Sequence, residues 1–344
     1  WKARGPYPGL MKVMDYLDFH EGINFFKDKI DKEEQKEAYE QIVSFLNNKT
    51  EKLGDIQIED KRLKKIQRDW KLRDDGEKEL LLSTLPFFDL AKQQVSNIIN
   101  PERNKNGITA SLKDIKENPY ILTEQYNGDD YDDVISFYKI DHGVLPSPDM
   151  GLSNLFEKDS AERFRALCVE TLKRTTEHSF LSDILIINSI NNKLKDLPDW
   201  KKTEFKTKYF EVDEEFLSFA LEIRKKDESN YIYLKETWED ERLIETIIKD
   251  LSQRPEIAFK VPITKSFFEQ NLYNSDSPLA KKNDTEYRNA IGKQADVCEQ
   301  LFNKPLSVTS GAAGTGKTTI IHSLLSAIEK AHGASTAFLL LAPT

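Results

Sequence analysis

The chain has 344 residues, which is enough for two or more domains, because single hydrophobic cores stop growing near roughly 250 residues. Hydrophobic residues make up 38% of it and charged residues 32%, a composition that predicts packed cores under a charged surface. No apolar run approaches the roughly 20 residues of a membrane span, and the start shows no signal-peptide pattern, so we expect no membrane partner. The net charge of −9 argues against a protein that coats nucleic acid through bulk charge, although a local positive groove is compatible with it.

Two cysteines, Cys168 and Cys298, lie far apart and match no metal-ligand or redox spacing. We therefore expect a reduced protein in the cytoplasm. The five histidines contain no pair at ligand spacing, and none is a predicted catalytic or metal residue. Trp1 is not an initiator residue and Thr344 lies just past a predicted strand, so we expect the chain to be part of a longer protein.

Residues 1–77 begin with a turn-rich Arg-Gly-Pro-Tyr-Pro-Gly segment and continue as charged helices. Seven Lys and Arg residues between positions 61 and 73 surround Trp70. Cations around an aromatic side chain are typical of surfaces that bind a nucleic-acid backbone and stack a base. The alternative, which we favour, is a solvated helix face whose cations are balanced by neighbouring acidic residues.

Residues 78–192 indicate short helices joined by turns, with a break at Asn-Pro-Tyr 118–120. An acidic cluster at Asp129, Asp130, Asp132 and Asp133 follows Gly128. Paired carboxylates suggest a metal ion, but the spacing and the closing Glu of an EF-hand are absent, so we favour a cluster without metal.

Two helices are predicted next, each with a serine as its N-cap, one after Ser160 and one after Ser182. A strand-like run follows at 209–212, and the three together indicate a small winged-helix or helix-turn-helix unit. Such units bind DNA in some proteins and act as spacers in others. Residues 231–234 predict a further strand, and the loop into the last domain is expected at 271–286.

Between this strand and the loop, the sequence predicts an amphipathic helix with one apolar stripe. The stripe consists of Leu243, Ile244, Ile247, Ile248 and Leu251. We interpret it as part of a core rather than as an interaction surface.

The C-terminal part carries the motif with the clearest chemistry. A short β-prone run at 306–310 leads into Gly-Ala-Ala-Gly-Thr-Gly-Lys-Thr at 311–318, which fits G-x-x-x-x-G-K-[ST] at every fixed position. Apolar residues then repeat at helical spacing up to Gly333, a natural helix stop. Residues 337–341 form an apolar run typical of a buried parallel strand. The P-loop mechanism requires this order of strand, loop, helix and strand.

Glycines let the backbone N–H groups surround a phosphate, and the helix that starts near Gly316 adds its positive dipole end. Lys317 is predicted to bridge the β- and γ-phosphates of ATP, and the Thr318 hydroxyl to complete the shell of Mg²⁺. These two are the predicted catalytic residues. The predicted nucleotide contacts in the loop are Gly311, Ala312, Ala313, Gly314, Thr315, Gly316, Lys317, Thr318 and Thr319. An acidic Mg²⁺ partner on a neighbouring strand is also needed, and no apolar run ending in Asp-Glu follows.

The flanks of the motif suggest its family. Gln294 lies 17 residues before Gly311, and Leu-Leu-Ala-Pro-Thr at 340–344 closes the chain. These features resemble the adenine-reading glutamine and motif Ia of RecD-like superfamily 1 DNA helicases. The resemblance implies that Gln294 binds the adenine of ATP and that Pro343 and Thr344 contact single-stranded DNA.

Upstream segments extend the likeness over about 78–344. Asn-Pro-Tyr at 118–120 resembles the segment that precedes a helix-hairpin-helix in that family, and 161–167 with 178–181 resemble its next helical elements. Tyr-Ile-Tyr-Leu at 231–234 is similar to the segment that enters the motor. One departure concerns the hairpin, where the family has Gly-x-Gly and this chain has Gly-Asp-Asp at 128–130. Two carboxylates then face any phosphate, so we expect the hairpin fold without its DNA contact.

The resemblance implies an α/β protein with a large, mostly α-helical N-terminal portion, a helical hairpin and winged-helix-like region, and the start of a RecA-like P-loop domain. We divide it into a charged helical region at 1–77, a helix-hairpin-helix-like region at 78–192, a winged-helix-like or linker region at 193–286, and the RecA-like start at 287–344. The implied parent enzyme uses ATP and Mg²⁺ to move 5′→3′ on single-stranded or tailed duplex DNA, and protein partners are compatible with it. Two alternatives stay open: a partner-binding or regulatory module of a larger assembly, and a P-loop ATPase that is not a helicase.

Overall fold

The computed structural model describes residues 5–50, 52–128, 130, 132–175, 177–227, 229–312, 314–332 and 337–341. The chain divides into two compact units, Trp1–Glu239 and Asp240–Thr344. The sequence boundaries at 77 and 192 both fall within the first unit. Predictions that concern Asp129, Ala313, Gly333, Pro343 and Thr344 fall outside the described residues.

The first half of the first unit is built from helices whose apolar faces share one core. Several of these helices begin at acidic or serine N-caps, including Asp31, Asp74 and Ser111. The helices are α1 Leu10–Tyr16, α2 His20–Phe26, α3 Lys32–Leu46, α4 Asp60–Lys71, α5 Asp75–Ser83, α6 Lys92–Ile99, α7 Leu112–Glu117, α8 Ile121–Gln125 and α9 Phe137–Val144. The predicted break at 118–120 separates α7 from α8, and Pro119 explains it because proline cannot donate a helical hydrogen bond.

The second half of the first unit contains the sheet. Its elements are α10 Ala161–Lys173, β1 Phe180–Ser182, α11 Asp183–Lys195, α12 Tyr209–Val212, α13 Glu214–Leu217, β2 Leu221–Lys226 and β3 Ser229–Leu234. The strands form an antiparallel sheet in the order β1-β3-β2, and Ile232 in the central strand is fully buried. In chain order, a helix and a strand precede further helices and then a hairpin, whose second strand pairs with the first strand of the sheet. The predicted helices after Ser160 and Ser182 are confirmed, with both hydroxyls accepting backbone N–H groups.

Two local predictions in this region are wrong. Residues 209–212 form the one-turn helix α12 instead of a strand, since a single turn buries Phe210 against Phe164. Residues 180–182 form β1 instead of part of a helix, because their backbone pairs with β3 from Phe180 opposite Tyr233 to Ser182 opposite Tyr231.

The basic segment around Trp70 forms α4, but the aromatic ring is not at its surface. Trp70 is buried in the core of the first unit together with Ile66. Arg62 donates to Glu21 and Asp18, and Lys65 also donates to Asp18. The cations therefore lie on a solvated helix face and are balanced by acidic residues, as the favoured alternative predicts. The Trp70 ring is a core residue and has no face available for base stacking.

The regular secondary structure described in the second unit is all helical. The helix α14 Lys235–Gln253 spans the boundary, and α15 Lys265–Leu272, α16 Pro278–Lys282, α17 Asp284–Phe302 and α18 Lys317–His332 follow. The predicted loop at 271–286 contains α16, which the sequence analysis missed although Ser277 and Pro278 form an N-cap and N1 pair. The predicted amphipathic helix is confirmed as α14. Its assignment to a core is wrong, because none of its residues is buried.

The predicted strands on either side of the P-loop helix are not formed. Among the described residues, 306–310 and 337–341 are irregular and pair with no other segment. A strand requires a neighbour for its backbone N–H and C=O groups, and these runs find none. The part of the chain that the structure describes is thus mostly helical with one small antiparallel sheet. None of the described helices is both long enough and apolar enough to span a bilayer.

Candidate functional site

The P-loop residues form a compact turn directly before α18. Gly314 and Gly316 have φ angles of 79° and 87°, in the left-handed region that glycine adopts without steric cost. The Thr315 hydroxyl donates to the carbonyl of Ala312 over 2.9 Å. The N–H of Ile320 donates to the carbonyl of Gly316 over 3.0 Å and begins the helical ladder. A turn with two left-handed glycines therefore leads directly into the 16-residue helix α18, and a helix at this position is what the apolar repeat predicts.

Lys317 is the first residue of α18 and folds back over the loop. Its Nζ atom donates to the carbonyl of Gly311 over 2.6 Å and to that of Ala312 over 2.8 Å. These acceptors are neutral carbonyl oxygens, whereas a phosphate oxygen carries negative charge and adds Coulomb attraction to the hydrogen bond. A phosphate at the mouth of the loop would therefore compete favourably with the carbonyls for the ammonium group.

The mouth of the loop is open to solvent on the side where a ligand would enter. A Cβ atom built on Gly314 would meet no heavy atom within 4 Å. Thr318 and Thr319 are exposed in the first turn of α18. Within the described part of the chain their hydroxyls make no hydrogen bond. An exposed hydroxyl oxygen beside a lysine ammonium fits the role of a Mg²⁺ ligand next to bound phosphates.

Gln294 of α17 reaches the loop from the neighbouring helix. Its Nε2 atom donates to the carbonyl of Thr315 over 3.3 Å. A Cβ atom on Gly316 would lie 2.5 Å from the same nitrogen and would displace the Gln294 amide, while the φ angle of 87° is what favours glycine at this position. The structure thus brings the predicted adenine-reading residue to the P-loop, with its amide on the loop backbone.

Helix packing in the second unit supports this arrangement. Helices α15, α17 and α18 share one core that includes Phe268, Ala295, Cys298 and Ile320. Ala295 directly follows Gln294 and is fully buried, which fixes the face of α17 that bears the glutamine. The packing of α17 in this core therefore places Gln294 at the loop.

Within the acidic cluster near Gly128, Asp133 has a structural role. The Asp133 carboxylate accepts from Gln94 Nε2 over 2.8 Å and from the Tyr126 hydroxyl over 2.8 Å. Gly128 donates its N–H to the Asp133 carbonyl, and a Cβ atom on Gly128 would lie 1.9 Å from the Asp133 carboxylate. The glycine is needed here to admit a carboxylate. Among the described residues no group of three or more His, Cys, Asp or Glu side chains could hold a metal ion.

Sequence reasoning missed a buried polar network in the first unit. The Asp141 carboxylate accepts from the Tyr120 hydroxyl over 2.7 Å, from Arg163 Nε over 2.8 Å and from Lys201 Nζ over 3.0 Å. Burial by itself raises the pKa of Asp141, but the Arg163 and Lys201 cations outweigh it and hold that pKa below its ordinary value. Tyr120 and Arg163 belong to two segments that the resemblance selected, whereas no local pattern marks Asp141 or Lys201.

Comparison with known proteins gives one relative and no family. The chain is 26% identical over 351 aligned positions to an uncharacterized protein of Methanocaldococcus jannaschii. The alignment covers 97% of this chain and 28% of the archaeal protein, so the chain spans little more than a quarter of that relative. No protein-family model matches the chain. No solved structure matches it either.

Proposed function

We propose that this chain is the front part of a RecD-like superfamily 1 helicase, an enzyme that hydrolyses ATP to move 5′→3′ on single-stranded DNA. The observation that carries the proposal is the P-loop itself, with two left-handed glycines and Lys317 at the start of α18. Lys317 would bind the β- and γ-phosphates, Thr318 would bind Mg²⁺, and the N–H groups of the loop would surround the β-phosphate. When bound, ATP supplies the phosphoryl group whose transfer to water drives movement.

The apolar surface near the loop supports a RecA-like domain. Residues 306–310 and 337–341 are β-prone, and Val308 and Leu339 are each more than four-fifths exposed. One face of α18 packs on α15 and α17, while Ile321 on another face is about half exposed. A helix that is apolar on two faces is typical of α/β domains, in which one face covers a parallel sheet. We infer that the two runs, which are irregular and unpaired here, become strands only by pairing with further strands of the parent protein, with α18 against the resulting sheet.

The winged-helix element order of the first unit also agrees with the proposal, since such units occur in DNA-binding proteins. It is a weaker argument than the P-loop, because the same fold serves as a spacer.

Nucleotide binding by the chain tests the first step. A fluorescent ADP analogue with Mg²⁺ should bind the wild-type chain, and Lys317→Ala should weaken that binding by at least about tenfold, since a charge-assisted contact contributes roughly 1.5–3 kcal/mol. Lys282→Ala, an exposed lysine of α16, is the matched control and should bind as the wild type does. Equal binding by Lys317→Ala and the wild type would contradict the assignment of the site.

The parent protein tests the second step. Its ATP hydrolysis should rise when single-stranded DNA is added and should vanish in Lys317→Ala. Turnover that depends on Lys317 but ignores DNA would favour a P-loop ATPase that is not a helicase. Nucleotide binding without turnover under any condition would favour a regulatory module.

A further inference from the structure

The first unit contains a cavity of about 800 Å³ that the P-loop chemistry does not use. Its walls come from α3, α9, a turn of 3₁₀ helix at Pro148–Met150 and another at Asp199–Lys201. The volume falls within the range of small-molecule sites, roughly 300–1,000 Å³. It is remote in sequence from the P-loop and lies wholly within one compact unit.

The walls of the cavity are mainly apolar and include two aromatic rings. Leu197, Pro198 and Met150 contribute aliphatic surface. Trp200 and Tyr138 also line the cavity, and their exposed fractions are 39% and 37%. Rings of this size gain free energy when they are covered, because each can bury more than roughly 150 Å². The two rings predict a ligand with a flat apolar body.

The polar end of the cavity is set by the Asp141 network. Lys201 is 9% exposed at its side chain and donates to the Asp141 carboxylate and to the Asp141 carbonyl, over 3.0 Å and 2.7 Å. A lysine ammonium has three N–H donors. Two are used by Asp141, and the third has no acceptor among the described residues, so it is available to a ligand in the cavity that Lys201 lines.

The charges around the cavity favour an anionic acceptor. Two of its lysines are paired, Lys201 with Asp141 and Lys32 with Asp149. Lys139 also lines the cavity, and within the described residues it forms no ion pair. One positive charge is therefore left over at a site with apolar walls, where a bound anion is poorly screened by water.

We propose that this cavity binds a small amphipathic anion with a planar apolar body, whose charged group faces Lys139 and Lys201 and whose rings contact Trp200 and Tyr138. The site is independent of the nucleotide site and of the proposed helicase activity. An aromatic carboxylate has the required chemistry, so 2-naphthoate is a suitable probe.

Isothermal titration calorimetry of the chain with 2-naphthoate tests the proposal. We expect saturable binding of one equivalent with a dissociation constant below about 1 mM, the affinity that a ligand of this size can reach. Trp200→Ala should weaken it by about tenfold through loss of ring contact, and Lys139→Gln by about fivefold through loss of charge. The neutral analogue 2-naphthamide should bind the wild type as weakly as 2-naphthoate binds Lys139→Gln.

Lys206→Gln makes the same chemical change at an exposed lysine outside the cavity and should leave binding unchanged. Circular dichroism of each variant confirms that it is folded, and Lys139→Gln keeps the test available if Trp200→Ala does not fold. Absence of binding to the wild type at millimolar concentration would overturn the proposal. Equal effects of Lys139→Gln and Lys206→Gln, or equal affinity for the amide and the carboxylate, would overturn its anionic part.

Discussion

The Gln294 side chain contacts the backbone of the P-loop and does not extend into the solvent where a base would bind. Its amide donates to the Thr315 carbonyl and packs against Gly316. An adenine reader affects only adenine nucleotides, whereas a residue that holds the loop affects every ligand that the loop binds. From the observed contact we expect Gln294→Ala to weaken Mg²⁺–ADP, Mg²⁺–GDP and tripolyphosphate by similar factors of roughly three- to tenfold.

Competition of these three ligands against a fluorescent ADP analogue measures the effect. Gln300→Ala, a change of the same residue type at an exposed position of α17, is the matched control. A loss confined to ADP would show that Gln294 leaves the loop backbone and reads the base, as the sequence resemblance implies.

Asp141 is a buried charged residue on which we expect the stability of the first unit to depend. Its carboxylate is 1% exposed, and Arg163 beside it is fully buried. Removing one partner of a buried pair leaves an uncompensated charge, so Asp141→Ala should lower the free energy of unfolding by about 3–5 kcal/mol. All four tryptophans lie at positions within the first unit, so urea titration followed by tryptophan fluorescence reports on that unit. Asp199→Asn, at a solvent-exposed ion pair with Lys202, should leave the midpoint unchanged.

The Asp141 carboxylate also makes the stability of the first unit depend on pH, and the direction of its pKa shift fixes the sign of this dependence. The folded-state pKa of Asp141 is lower than its ordinary value, so the unfolded chain takes up the proton first. Its stabilising contribution is therefore complete above the unfolded pKa of about 4 and is lost as the pH falls through the lower folded pKa. We expect the difference in unfolding free energy between the wild type and Asp141→Asn to be constant from pH 5 to 7 and to shrink below pH 4. A difference that grows on acidification would contradict this assignment.

At the scale of elements, helix caps are a source of local stability. The Ser160 hydroxyl accepts the N–H of Arg163 at the start of α10, the helix whose residues 163–172 are all buried. Ser160→Ala should lower the unfolding free energy by about 1 kcal/mol, as typical for an N-cap. Ser83→Ala removes a hydroxyl that donates to the Glu79 carbonyl in the last turn of α5 and should have a smaller effect. Equal effects of the two variants would show that the cap contributes nothing.

Some secondary-structure elements are predictable from local sequence signals, and others depend on contacts with distant segments. The α10 and α11 helices were predicted because a capping serine precedes an apolar repeat, and both signals are local. The sequence analysis missed β1 and β2. β1 has only three residues, and the apolar–polar alternation of β2 covers only Leu-Glu-Ile-Arg before two lysines, so both strands depend on their pairing with β3. The α14 stripe was assigned to a core because periodicity shows that a helix has an apolar face, and does not show what covers it.

In the candidate site, too, some features have a local sequence signal and others depend on contacts between distant segments. The P-loop was predictable because its chemistry resides in eight consecutive residues. The proximity of Gln294 to Thr315, 21 positions apart, depends on the packing of α17 against α18. The Asp141 network joins four residues between positions 120 and 201, and no spacing in the sequence connects them.

At the scale of the whole molecule, the distribution of charge argues against tight DNA binding by this chain alone. Phosphate contacts supply most of the affinity of DNA-binding proteins, and the net charge here is −9. Gly128, at the position that the resemblance aligns with a phosphate-binding hairpin, donates its N–H to the Asp133 carbonyl, so this donor is not available to a phosphate. We expect fluorescein-labelled oligo(dT) to bind with a dissociation constant above about 1 μM at low salt, by anisotropy titration. Submicromolar binding would show that a positive groove exists elsewhere on the surface.

ATP turnover by the same chain should also be slow, for a separate reason. Phosphoryl transfer needs a carboxylate that holds Mg²⁺ opposite the P-loop threonine. After Thr318 the chain contains a single acidic residue, Glu329. It lies 11 residues further along the same helix, and at 1.5 Å per residue that is roughly 16 Å from Thr318, too far to share the ion. We therefore expect the chain to bind Mg²⁺–ATP through Lys317 while releasing phosphate no faster than the Lys317→Ala variant. Phosphate release that is robust in the wild type and lost in Lys317→Ala would mean that a carboxylate from another part of this chain reaches the loop and completes the site.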